Sequence, residues 1–169
     1  RILLTPLDGA VSRELWSSVE ANRAHLEPWL PWVPFTSDAD ATLRYADASG
    51  EDWDAARALR FAVRVGPDNE SRFVGVAGLE NLSHLHRTGD LGYWLREDAT
   101  GNGYMTEACM LLLDWAFRTV GFHRIRVAAS TENAASLSVI RRLGFQFEGV
   151  ARQAEFCRAR WLDHAVFGR

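Results

Sequence analysis

The sequence predicts an α/β domain with a mixed, mostly antiparallel central sheet flanked by helices. Three features of its 169 residues point there. Strand-like runs at 59–65, 73–82 and 90–95 follow one another with only turn chemistry between them, which favours an antiparallel meander. A long apolar helix at 104–119 and a strand at 124–129 come next, so helices and strands share one domain. Two long strand-like segments at 145–156 and 160–167 close the chain as a hairpin.

In order along the chain, residues 2–5 read as a short strand, and Asp8 or Ser12 can cap a helix that buries Leu15 and Val19. Residues 27–35 carry three prolines, which oppose regular structure, beside Trp29, Trp32 and Phe35, which demand burial. That combination predicts an ordered loop laid over something apolar. Residues 37–57 are helical in composition, with Gly50 as a break point and Trp53 and Ala56 on one side. Gly66-Pro67-Asp68-Asn69 and Leu85-His86-Arg87-Thr88 supply turns between the meander strands. The helix at 104–119 is crowded with Met105, Ala108, Leu111, Leu112, Trp115 and Ala116, and Gly121 stops it. A shorter helix at 133–142 ends before Gly144. There is neither repeat nor linker, so residues 1–169 read as a single domain.

Composition narrows the function. With 47% hydrophobic and 24% charged residues the chain is globular in character, and a domain of this length buries roughly 70% of its unfolded surface. Nineteen basic against 22 acidic residues give a net charge of -3, which argues against a nucleic-acid partner or an anionic membrane surface. Cys109 and Cys157 lack the spacing of a metal site or a disulfide scaffold, and a reducing, cytoplasmic setting is the expectation. No apolar run approaches the ~18 residues of a membrane span. No secretory leader pattern stands at the start, where Arg1 takes the place of the usual Met.

The most informative segment is Leu91-Gly92-Tyr93-Trp94-Leu95 followed by Asp98-Ala99-Thr100-Gly101-Asn102-Gly103-Tyr104-Met105-Thr106. A strand feeds a glycine turn that opens a long helix. Such a turn leaves backbone N–H groups unpaired at the positive end of the helix dipole, and glycine lets a phosphate approach the main chain. Alone, the same turn also serves as a tight strand-to-helix connection. No Gly-Lys-Ser/Thr sequence forms a P-loop, and Thr106 takes the third small-residue position of a dinucleotide fingerprint, so the cradle suits another diphosphate.

A second constellation follows: the strand at 124–129 leads into Ser130-Thr131-Glu132-Asn133-Ala134-Ala135-Ser136, and the helix ends in Arg142-Leu143-Gly144-Phe145. With these segments the chain resembles the GNAT superfamily of N-acetyltransferases. Its signature is glutamine or arginine, two residues, glycine, one residue, then glycine or alanine; Asp98 stands where glutamine or arginine is commonest. Within it the chain is similar to the RimJ/RimL-type protein N-terminal acetyltransferases, through Trp29-Leu30-Pro31-Trp32, Gly92-Tyr93-Trp94-Leu95, Asn133-x-x-Ser136 and Arg160-Trp161-Leu162-Asp163-His164. The resemblance spans nearly the whole chain and is most specific in the later half.

The resemblance implies a GNAT-like sheet and acetyl-CoA as co-substrate, with no metal. Tyr93, Trp94 and Leu95 would pair with the pantetheine arm, and the amides of Gly101, Asn102, Gly103, Tyr104, Met105 and Thr106 would hold the pyrophosphate. Asn133 would reach the pantetheine, a role compatible with capping the helix it opens. Transfer from a thioester to an amine needs a neutral nucleophile, an oxyanion donor and a group that stabilises the departing thiolate. Many superfamily members use a tyrosine of the short helix for the last, but Ile140 stands there. The RimL-like pattern implies Ser136 instead, and Glu155 as the base; a strand carboxylate also suits an ion pair, with Arg152 nearby. Trp29, Trp32 and Trp161 would wall the acceptor groove or serve the core.

The implied acceptor is the N-terminal α-amine of a protein or peptide, a ribosomal protein among them; a small amine such as a peptide antibiotic, polyamine or amino acid is the alternative. A catalytically silent acyl-CoA-binding domain is the other class, and a homodimer through the final strands stays open. No other site competes: His84, His86, His123 and His164 are scattered, and neither a serine-triad elbow nor metal spacing is present.

Overall fold

The computed structural model describes residues 1–67 and 70–169; of the turn expected at 66–69, residues 68 and 69 lie outside that range. Strands β1 (Ile2–Pro6), β2 (Leu59–Val65), β3 (Arg72–Ser83), β4 (Thr88–Leu95), β5 (Arg124–Ser130), β6 (Gln146–Cys157) and β7 (Arg160–Gly168) form one sheet in the order β1-β2-β3-β4-β5-β7-β6. Every neighbouring pair is antiparallel except β4 and β5, which run parallel because helix α4 (Tyr104–Trp115) crosses between them. The mixed, mostly antiparallel sheet expected from the sequence is the sheet observed.

Helices α1 (Ser12–Ala21), α2 (Arg23–Leu26), α3 (Ala39–Asp54) and α5 (Ala134–Arg142) complete the layers. The strands divide their side chains between two faces by alternation, which a bulge opposite Val63 and Arg64 shifts by one residue within β3. Phe61 and Val63 of β2 join Val74, Leu79, Leu91, Leu112, Ile125 and Ile140 in the core shared with α4 and α5. Ala62, Phe73 and Val76 face the other way, onto Leu15, Val19, Leu26 and Val33. Each large apolar side chain so buried stabilises the fold by about 1.5–3 kcal/mol.

Some local expectations are corrected. Helix α3 runs unbroken through Gly50, because a helical glycine costs only about 1 kcal/mol and the face carrying Thr42, Ala46 and Ser49 is buried. Asp38 caps that helix by accepting from Ala41 N at 2.7 Å. Ala56 lies beyond its end at φ 51 and continues no helical face, whereas Trp53 packs edge-on against Phe61 with ring centres 4.9 Å apart. Near the start, Asp8 caps a short 3-10 turn at Gly9–Val11 that precedes α1. The proline-rich loop holds one regular piece, a 3-10 turn at Val33–Phe35, which accepts Pro34 in its first turn. Helix α4 widens into a π turn at Ala116–Val120 before Gly121, and Leu111 lies on its exposed face.

Candidate active site

The parallel ladder between β4 and β5 ends at Leu91 and Val127. Beyond it the strands part: β4 continues to Leu95 alongside β3, and β5 continues to Ser130 alongside β7. Gly92, Tyr93, Trp94 and Leu95 on one lip, and Ala128, Ala129 and Ser130 on the other, line a cleft of about 450 Å³. An extended chain inserted there finds main-chain groups that lost their strand partner.

At the mouth of the cleft Gly101 and Gly103 adopt φ of 78 and 77, a region that penalises any side chain. The first main-chain bond of α4 runs from Glu107 N to Gly103 O at 3.0 Å; among the described residues, the amides of 101–106 make no main-chain bond. Thr106 Oγ1 is buried there with no partner among the described residues. The side chain of Asn102 turns back, donating to Ala99 O (3.3 Å) and Thr100 O (3.0 Å), so it clamps the turn rather than lining the cleft. Asp98 is also accounted for. Hydrogen bonds from Arg96 and Arg72 hold its carboxyl at about 2, and the paired charge does not oppose an anion at the helix end.

Helix α5 forms the facing wall. Asn133 caps it, Oδ1 accepting from Ser136 N at 3.0 Å, which occupies the amide oxygen and leaves the NH2 side for a ligand. Ser136 Oγ lies 2.9 Å from Tyr93 Oη, which also donates to the Ser136 carbonyl at 3.2 Å. Burial pushes the Tyr93 phenol well above the ordinary tyrosine range. Ile140 is fully buried in the core and contributes nothing to the cleft.

The final hairpin supplies the carboxylate. Between Ala151 and Glu155 the β6–β7 register slips, with Ala151 opposite His164 and Glu155 opposite Leu162. The bulge is pinned by Gln153 N, which donates to Asp163 Oδ1 at 2.8 Å. It brings the Glu155 carboxylate within 3.2 Å of His164 Nε2, both groups half-buried and both in the cleft wall.

Most of the expected site thus converges: Tyr93, Trp94, Leu95, Gly101, Gly103, Tyr104, Met105, Thr106, Asn133, Ser136, Glu155 and Trp29 all line one cleft. Trp32 sits against Trp94, ring centres 6.4 Å apart. Trp161 does not reach the cleft; it is 59% exposed against Phe156, because alternation along β7 turns Leu162 and His164 inward instead. The sequence does not single out His25, and it leaves His164 aside among scattered histidines, yet both line the cleft; the inward position of His164 follows from its two-residue spacing to Leu162. The tryptophan loop is held by Arg23, which donates to Val33 O and Thr36 O at 2.7 Å, and by Cys157 Sγ, which donates to Glu27 O at 3.2 Å. Among the described residues, no cluster of His, Cys, Asp or Glu could hold a metal ion.

Comparison with known proteins agrees with this geometry. The acetyltransferase (GNAT) domain family matches residues 1–146. YdaF of Bacillus subtilis (strain 168) is 31% identical over 150 residues, covering 89% of this chain and 79% of that one. The ribosomal-protein-serine acetyltransferase of Escherichia coli (strain K12) is 24% identical over 157 residues, covering 93% and 86%. In fold, the chain is similar to RimL, a ribosomal L7/L12 alpha-N-protein acetyltransferase solved with coenzyme A, at a TM-score of 0.93, 23% identity and coverage of 99% and 93%. A parted parallel strand pair, a helix opening on bare amides and a family match over most of the length give one conclusion: the chain belongs to the GNAT family and is an acetyl-CoA-dependent N-acetyltransferase.

Proposed function

We propose that residues 1–169 act as one domain that acetylates the N-terminal α-amine of a protein or peptide, ribosomal proteins being the acceptor class. The observation that carries this is the convergence of Ser136, Glu155 and the unpaired amides of 101–106 on one cleft. The name of the Escherichia coli relative, a ribosomal-protein-serine acetyltransferase, supports the acceptor class. The setting we propose is cytoplasmic, with neither nucleic acid nor membrane as partner; among the described residues no helix is long and apolar enough to cross a membrane. The outer edge of β6, which exposes Phe147, Val150 and Phe156, is the face on which two copies would pair.

The residues present fit acetyl-CoA. The amides of 101–106 and the positive end of α4 suit a pyrophosphate, which would lie beside the orphaned Thr106 hydroxyl. The freed edge from Gly92 to Leu95 and the amide of Asn133 suit the pantetheine. When bound, this co-substrate supplies an acetyl group activated as a thioester. Glu155, steadied by His164, takes the proton that the amine sheds on attack, directly or through a water. A main-chain N–H of the freed β4 edge would be the donor to the carbonyl oxygen as its charge develops. Ser136 donates a hydrogen bond to the sulfur as the carbon–sulfur bond breaks. An α-amine of pKa ~8 needs only ~1.4 kcal/mol to lose its proton at pH 7, against ~4.6 for lysine, so a half-buried carboxylate suffices.

The test is thiol release from acetyl-CoA with Ser- and Ala-initiated peptides beside a panel of small amines, spermidine included, with products identified by mass spectrometry. Peptides acetylated at the α-amine are expected. Turnover of small amines alone would overturn the acceptor assignment.

A further inference from the structure

We infer that Tyr93 is the positioning residue for Ser136: its phenol, by donating to Ser136 Oγ, turns the serine proton out toward the departing sulfur. This deepens the proposed function and rests on its assignment of Ser136. The starting point is a gap. A lone serine hydroxyl rotates freely and spends its proton on whichever acceptor is nearest, and α5 offers no phenol because Ile140 is sealed in the core. Tyr93 reaches the same place from β4, across the cleft.

The geometry defines two arrangements of the same heavy atoms. Tyr93 Oη has one proton and two acceptors in reach, the Ser136 carbonyl at 3.2 Å and Ser136 Oγ at 2.9 Å. With the phenol proton on the carbonyl, the serine proton points back to Oη and is unavailable. With the phenol proton on Oγ, the serine proton is free for the cleft. Passing from one to the other takes rotation about two C–O bonds and no movement of the backbone, which the Asn133 cap fixes through Ser136 N. Negative charge building on sulfur favours the second arrangement, because a bond to a charged acceptor is roughly twice as strong as a neutral one and a chain of two hydroxyls polarises along its length.

The phenol stays protonated, since burial raises its pKa, and is therefore a donor throughout the working range. Neither hydroxyl loses its proton in this step. The nitrogen–carbon bond forms from the amine lone pair, and the carbon–sulfur bond breaks with its electron pair left on sulfur. The proton shed by nitrogen goes to Glu155, and the thiolate is protonated from solvent after release.

Tyr93→Phe removes one oxygen and keeps the ring that packs against the core. Expected is a fall in kcat of about tenfold with KM for acetyl-CoA within about twofold, the split of an interaction that strengthens only as the reaction proceeds. Added to Ser136→Ala, the same substitution is expected to change kcat by less than about twofold, since its effect passes through the serine. Melting temperature and calorimetric affinity for coenzyme A check that both variants are folded. Wild-type kcat in Tyr93→Phe beside an impaired Ser136→Ala overturns this inference and leaves the role of Ser136 standing. A full tenfold loss in both backgrounds also overturns it, because the phenol would then act independently. Wild-type kcat in Ser136→Ala overturns the serine assignment and this inference together.

Discussion

Alanine in place of Gly101 separates the cradle's backbone strain from its contact with a ligand. Gly101 sits at φ 78, and a Cβ built there meets nothing within 4 Å, so the substitution costs the free protein only its left-handed conformation. That penalty is about 1–2 kcal/mol, or a melting temperature lower by roughly 2–8 °C for a domain of this size. Gly144 is the matched control: its φ is 76, its Cβ would also meet nothing within 4 Å, and it lies past the end of α5 outside the cleft. Both variants carry the same strain, but only Gly101→Ala places a methyl group where a pyrophosphate would contact bare amides. Calorimetric titration with acetyl-CoA is expected to show Kd at least about tenfold weaker in Gly101→Ala, a loss of ~1.4 kcal/mol, and unchanged within about twofold in Gly144→Ala. Equal affinity in the two variants would refute the cradle, whatever their melting temperatures.

Glu155→Gln and Ser136→Ala should each lower turnover by more than about tenfold while calorimetry finds cofactor affinity little changed; full activity in either removes that residue from the mechanism. Asn133→Ala should cost about 1 kcal/mol of stability through the lost cap, and Asn133→Asp almost none. Both should weaken acetyl-CoA if the amide nitrogen holds the pantetheine, and undiminished affinity in the aspartate variant would leave Asn133 a cap alone. Arg96 and Arg72 hold Asp98 at about 2, below the ~3.9 of an unfolded aspartate. Its contribution to stability is therefore complete above pH ~4 and fades as pH falls toward ~2. Melting curves of wild type and Asp98→Asn should differ at neutral pH and converge in acid, and a gap that ignores pH would contradict the pairing.

Local chemistry made much of this legible. Gly101 and Gly103 announce their positive φ by being glycine next to an apolar helix, and Asn133 reads as a cap because the residues after it turn helical. Failures came where tertiary packing outweighed local preference. Gly50 is tolerated because α3 has a continuous buried face, and the π turn after Trp115 follows no residue pattern in the helix. The Tyr93–Ser136 contact joins residues 43 positions apart, with α4 and β5 between them in the chain, a closeness that depends on how far β4 and β5 part. Trp161 misleads by its type, since aromatics suggest a groove wall, although its odd register against Leu162 and His164 already turns it outward.

The single parallel pair explains why the parts of the site meet. A strand that enters a crossover helix at its C-terminal end brings that helix's N-terminus to the same edge of the sheet, and a parallel neighbour repeats the arrangement beside it. β4 leads to α4 and β5 to α5, so two helix N-termini open at one edge of the sheet, one on each side of the cleft where the strands diverge. The antiparallel β7 then fills the far side of β5, and the bulge in β6 turns its carboxylate back across that neighbour. Bare amides, a capped first turn with a hydroxyl, and a carboxylate therefore arrive from separate elements. A site built this way controls position more than it supplies chemical force, which suits the proposed α-amine acceptor, whose proton costs only ~1.4 kcal/mol to remove at pH 7.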